Sequence, residues 1–119
     1  MAISEHSFSA GKAPTSLESA ILQDADRLDA IGSIGIARVF ACGTRMGAAF
    51  YDPVDPFSEN RPLDDKKFSL DHFYVKLLKL PERMNTDPAR REAQRRLETM
   101  ERFLAQLERE MFAGTFTRI

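Results

Sequence analysis

DADRLDAIGSIGIARVF, residues 24–40, decides how the chain reads. Three carboxylates, Asp24, Asp26 and Asp29, fall within six residues, and a nearly continuous apolar run follows. On a helix each residue turns about 100°. Asp26 and Asp29 then share a face with Leu22, Ala30 and Ser33. Asp24 points almost opposite to Asp26, among Leu17, Leu28 and Ile31, and Arg27 lies three positions away, within reach of an ion pair. The plainest reading is a solvated acidic patch plus one Asp–Arg pair. Against it, aspartate is a poor helix-interior residue, and a carboxylate entering apolar surroundings needs a partner or a metal. The sharper reading makes Asp26 a metal ligand, since hard divalent cations take carboxylate oxygen and borderline metals accept it beside imidazole. No H-x-x-x-H or H-E-x-x-H pattern lies nearby to strengthen it.

Working outward, T-x-x-E at Thr15 and Glu18 has capping-box spacing and starts a helix near Ser16 that runs to about Ile31. Gly32 permits a bend or a close helix contact. SIGIARVFA, residues 33–41, continues as a second helical piece with Gly43 as its C-terminal cap; a strand over IGIARVF is the alternative. This segment is apolar nearly all round, the pattern of a helix in the middle of a bundle. Residues 43–67 hold three prolines and two glycines and read as a lid or a surface connection. SLDHFYVKLLKL, residues 69–80, is a short helix capped by Ser69 and stopped by Pro81. Thr86 or Asp87 caps the last helix, which runs to about Phe112, with Gly114 ending it. Its apolar positions, Ala93, Leu97, Met100, Leu104, Leu107 and Met111, form one helical stripe. The fold class is all-α, in one domain spanning residues 1–119.

The bulk numbers agree with this and narrow the function. The chain has 119 residues, 43% hydrophobic and 29% charged, a globular composition. A net charge of −1 gives no electrostatic case for nucleic acid or for an anionic membrane surface. No run approaches the roughly 18 apolar residues of a spanning helix, and the first residues lack a signal-peptide pattern. The single cysteine, Cys42, sits in an apolar run and reads as a small buried hydrophobe in a reducing, cytoplasmic setting. The histidines are His6 and His72, and a lone histidine is more often packed or solvated than a ligand.

DADRLDAIGSIGIARVF, with HSFSAGKAP before it and FYDPVDPFSENRPLDDKKFSLDHFYVKLLKLPERMNT after it, resembles the HD superfamily of metal-dependent phosphohydrolases. The likeness is greatest to a bacterial branch of small, stand-alone members and covers roughly residues 3–110. It implies a helical bundle of the HD-domain type and hydrolysis of a phosphoester or nucleotide. It also implies a divalent metal, Mn, Ni, Mg, Fe or Zn. The family pattern is a histidine, a His–Asp doublet and a distant aspartate in an A-D-R-L setting. The resemblance therefore assigns Asp26, in ADRL, as the distal metal ligand. Arg27 matches a basic position that reaches substrate phosphate in relatives, and Asp24 and Asp29 would orient ligands or bind water. His6 matches a histidine near the active site. Lys76 shares a face with His72 at i, i+4 spacing, and both are candidates for an anion contact, beside a structural role.

The departure is as informative as the match. No His–Asp dipeptide occurs in the chain. The sequence thus looks like the C-terminal half of such a domain, an incomplete bundle that would self-associate or pair with the missing half, and it would hydrolyse little alone. A degenerate, HD-like helical binding or assembly module is the alternative. An unrelated all-α interaction protein leaves residues 23–30 unexplained.

Overall fold

The computed structural model describes residues 16–112, most of which are helical. The elements are α1 (Leu17–Leu28), α2 (Gly32–Arg45), α3 (Asp71–Val75), a 3-10 segment (Leu77–Arg83) and α4 (Asp87–Phe112). Among the described residues there is no strand; a single parallel bridge joins Ala49 to Phe68. IGIARVF is therefore helix, and the all-α fold class holds. His6, Thr15 and Gly114 lie outside the described residues.

The start of α1 is capped by Ser16, one residue after Thr15. The Ser19 N–H donates to Ser16 Oγ (3.1 Å) and the Ser16 N–H donates back to Ser19 Oγ (3.2 Å), a reciprocal box closed by two serines in place of threonine and glutamate. Gly32 fulfils both readings of it. Its φ is +77°, and a Cβ there would stand 2.9 Å from Cγ of Arg96 on α4.

The core forms where α2, α3, the 3-10 segment and α4 converge. Ile31, Leu70, Phe73, Leu77, Leu80 and Met100 are buried there. Phe73 stacks on Phe103 with ring centroids 5.9 Å apart, and Phe40 of α2 meets both rings at 6.0 Å. The α4 stripe points inward as its spacing requires: Ala93, Met100 and Leu104 are buried, and Leu97, Leu107 and Met111 pack partly against the core. By contrast, α2 does not sit in the middle of the described residues. One side packs on α4, while Ile34 is 57% exposed and Ala37, Ala41 and Cys42 face outward.

Two expectations for residues 69–83 are corrected. Ser69 does not cap α3: the cap position is Leu70, with no side-chain hydrogen bond. Pro81 does not stop the chain, because it lies inside the 3-10 segment. After Val75 the backbone tightens from α to 3-10 geometry, whose i, i+3 bonds leave room for a residue without an N–H.

Residues 46–70 are pinned rather than loose. The neck is closed by Ala49 N–H to Lys67 O, Ser69 N–H to Ala49 O and Leu70 N–H to Phe50 O, each 2.9 Å. Inside, Arg61 donates two bonds to Asp71 (2.7 and 3.0 Å), pairs with Asp52 (2.9 Å), donates to the Asp55 carbonyl and lies 4.6 Å from the Phe68 ring centre. Asp71 is 1% exposed, and breaking such a buried pair leaves an uncompensated charge. Arg61→Ala should therefore lower unfolding free energy by about 3 kcal/mol, measured by urea denaturation. A change below about 1 kcal/mol would show that the pair is not what holds the loop.

Candidate functional site

The carboxylate run separates into three different fates. Asp24 is 3% exposed and accepts three hydrogen bonds from the two residues that lead into α4: Asn85 N–H (2.7 Å), Thr86 N–H (2.9 Å) and Thr86 Oγ (2.7 Å). It serves a helix N-terminus that belongs to a different helix, where backbone donors and the helix dipole both favour negative charge. Gln23, fully buried beside it, accepts from Asn85 Nδ2 (3.0 Å). The expected Asp24–Arg27 ion pair is replaced by these contacts.

Arg27 is 5% exposed, and its guanidinium donates to the Arg83 carbonyl at 2.5 Å. Burial pulls its pKa down, Asp24 and Asp26 oppose that, and Arg83 adds to it. Its side chain is thus engaged with the backbone that leads into α4. In return Arg96 of α4 donates to the Leu28 carbonyl (2.5 Å) at the end of α1. The two helices cap one another.

Asp26 and Asp29 lie on the other side, as the helical wheel places them. Asp29 is exposed, and its carbonyl accepts from Arg38 (3.2 Å). Asp26 is half-buried and makes no hydrogen bond or ion pair to a described residue. It faces a positive region instead. Burial lowers the Lys76 pKa, and Arg83 lowers it further, while Asp26 and Asp65 partly hold it up. Asp65 in turn binds Nδ1 of His72 at 2.8 Å, both side chains being 30% exposed. Lys76 is thus within electrostatic reach of Asp26, Asp65 and Arg83, and Asp65 holds His72. Asp65 and Arg83 went unread in the sequence. Asp65 lies seven residues before His72, a spacing that matches no regular element across the turn, and Arg83 is brought close only by the 3-10 segment.

Among the described residues no group of three or more His, Cys, Asp or Glu side chains could hold a metal ion. Asp26 is one oxygen donor, and one carboxylate falls short of the three protein ligands of a tight site. No described helix is long and apolar enough to cross a membrane.

Comparison with known proteins adds to this geometry. No family model matches the chain. The uncharacterized protein YpgQ of Bacillus subtilis is 41% identical over 100 residues, covering 84% of this chain and 43% of YpgQ. The crystal structure of YpgQ in complex with ADP is similar with a TM-score of 0.68 and 42% identity, over 80% of this chain and 44% of that one. An HD-superfamily hydrolase from Bacillus thuringiensis is similar with a TM-score of 0.70 and 47% identity, over 82% and 48%. The chain thus spans less than half the length of each of these relatives. Over that shared part, its helices have the all-α, HD-type fold of an HD-superfamily hydrolase.

Proposed function

We propose that this chain is the part of an HD-type phosphohydrolase that carries the distant aspartate, with Asp26 as one ligand of a divalent metal and a nucleotide or related phosphoester as substrate. The observation that carries the reading is the division of labour within DADRLD. Asp24 is consumed by the fold and Asp29 is exposed, while Asp26 stands half-buried, with no hydrogen bond to a described residue and in the field of Lys76, in a fold shared with an HD-superfamily hydrolase. The ADP bound by YpgQ supports the nucleotide class.

A divalent metal, when bound, lowers the pKa of a bound water and neutralises charge on a phosphoryl group. The chain's own groups act around it. Lys76 and Arg83 supply positive charge where phosphate oxygens gather, and His72, held by Asp65, is an anion contact. Arg27 positions the Arg83 backbone and so acts through it. The remaining metal donors come from residues outside 16–112, His6 among them, or from a second copy or partner seated on the open face of α2. A second reading, a helical binding or assembly module without catalysis, is favoured by the lack of a three-ligand group among the described residues and of any His–Asp dipeptide.

The two readings separate on metal binding. Manganese titrated into the 119-residue chain and followed by electron paramagnetic resonance should bind weakly, with little hydrolysis of ADP, and Asp26→Ala should weaken that binding by at least about ten-fold. Manganese affinity unchanged by Asp26→Ala would sink the ligand assignment and leave the assembly reading.

A second expectation concerns Lys76. Asp26 helps to hold its pKa up, so Asp26→Asn should move it further down. Because the folded-state value is already below that of the unfolded chain, the unfolded state binds more protons between the two. Stability therefore gains from Lys76 as pH rises from its folded pKa towards 10.5. Reductive 13C-methylation followed by NMR titration reads both values; an unmoved Lys76 resonance in Asp26→Asn would show that the two groups do not share a field.

A further inference from the structure

Two open faces among the described residues carry opposite charge. On α1, Leu17 is 71%, Ile21 52% and Leu22 36% exposed. Asp24 and Arg27 are buried, so the charges that α1 shows to solvent are acidic: Glu18 and the half-buried Asp26. α2 has no acidic residue, and its charges, Arg38 and Arg45, are exposed. Between α2 and the segment 65–77 lies an open cleft of about 610 Å³, with Val39 and Leu77 in its walls. Arg38, Lys66 and His72 line it, and the one described carboxylate there, Asp65, is bound to His72 Nδ1 (2.8 Å).

These two faces do not meet within one copy. The hydrogen bonds of Asp24, Arg27 and Arg96 fix α1 against the start of α4 and the residues that lead into it. Its exposed side is a narrow strip. At about 100° per residue, Ile21, Ala25, Glu18 and Leu22 fall within about 100° of one another, and all four are exposed. A helix that lays such a strip into an apolar groove is a recurrent docking mode. An apolar, acidic helix and an apolar, cationic cleft on one chain are complementary to each other, which is the condition for a contact repeated by a two-fold axis.

We propose that a second copy of this chain covers the cleft, each copy laying the exposed strip of α1 between α2 and the segment 65–77 of the other. The pairing stands on the chemistry of the two faces and not on the phosphohydrolase reading. It takes Ile21 and Leu22 out of water, and it sets Glu18 against the cationic lining.

Sedimentation velocity of the 119-residue chain at about 100 µM, in metal-free buffer, should give twice the mass of one copy. Cys42 supplies a second readout. It is the only cysteine, lines the cleft and is exposed in the single copy, contrary to its expected burial. Its alkylation by iodoacetamide should slow about five-fold from dilute single copies to the pair. Glu18→Lys, its helix content checked by circular dichroism, should raise the dissociation constant about ten-fold, because the two-fold axis makes each change count twice. Glu98→Lys, at an exposed position of α4, should change it by less than about two-fold. A single-copy mass at every concentration would overturn the pairing, whether the cleft stays open or residues outside 16–112 fill it. A mass that grows past two copies would overturn the two-fold arrangement, and an unchanged Cys42 rate would overturn the cleft as the contact. Equal effects of the two charge reversals would overturn the placement of α1. No metal enters the assay, so a failed manganese titration leaves its result standing.

Discussion

The arrangement depends on one exchange between α1 and α4. Asp24 reaches across to the N–H groups of Asn85 and Thr86, which lead into α4, and Arg96 of α4 reaches back to the last carbonyl of α1, that of Leu28. Each helix thereby satisfies end groups that the other cannot reach by itself. The exchange is buried on the Asp24 side, where an unsatisfied donor or carboxylate costs most. With Arg27 holding the Arg83 carbonyl, α1 fixes both the 3-10 segment and the start of α4. Those same contacts set where Lys76 and Arg83 stand relative to Asp26. Stability and site geometry are thus produced by neighbouring residues of one helical turn, with Asp24 and Arg27 facing the protein and Asp26 facing out.

Much of this was legible in the sequence. The helices, their approximate ends, the inward stripe of α4 and the opposite faces of Asp24 and Asp26 all follow from periodicity. The partners of Asp24 were not legible, because they lie 61 and 62 residues away. Local spacing offered Arg27 instead, and tertiary packing overrode it. Pro81 misled for a related reason: the rule that proline ends a helix is a rule about α geometry, and the chain had already left it. Arg61 gave no local signal, since its role comes from a loop folding back on Asp71. Residues 33–41 read as fully enclosed from their composition, yet among the described residues one face stays open, because composition reports what a segment tolerates and not what surrounds it.

Local sequence and site chemistry also differ in what they specify. The ADRL segment points to Asp26 as a candidate, but the groups that share the field of Lys76 come from separate stretches: Asp65 from the pinned loop, with His72 of α3 bound to it, and Arg83 from the 3-10 segment. Each of those stretches has its own support. Asp64 N–H donates to Asp71 (2.7 Å), which ties the residue beside Asp65 to the Arg61 pair. The ion pair inside the loop and the histidine dyad on its edge are therefore linked through one backbone step.

The closed neck at Ala49 and Phe68 has a further consequence. Its three backbone bonds bring the ends of the intervening loop together, while Arg61 and Asp71 are the side chains that anchor its interior. Such a loop is a cassette. Tyr51 and Phe57 also pack against the helices, so only its exposed positions, such as Val54 and Glu59, can be exchanged at small cost without disturbing them. Related chains can then vary this exposed surface independently of the scaffold, so that the loop's outer face and fold stability are set by separate parts of the sequence.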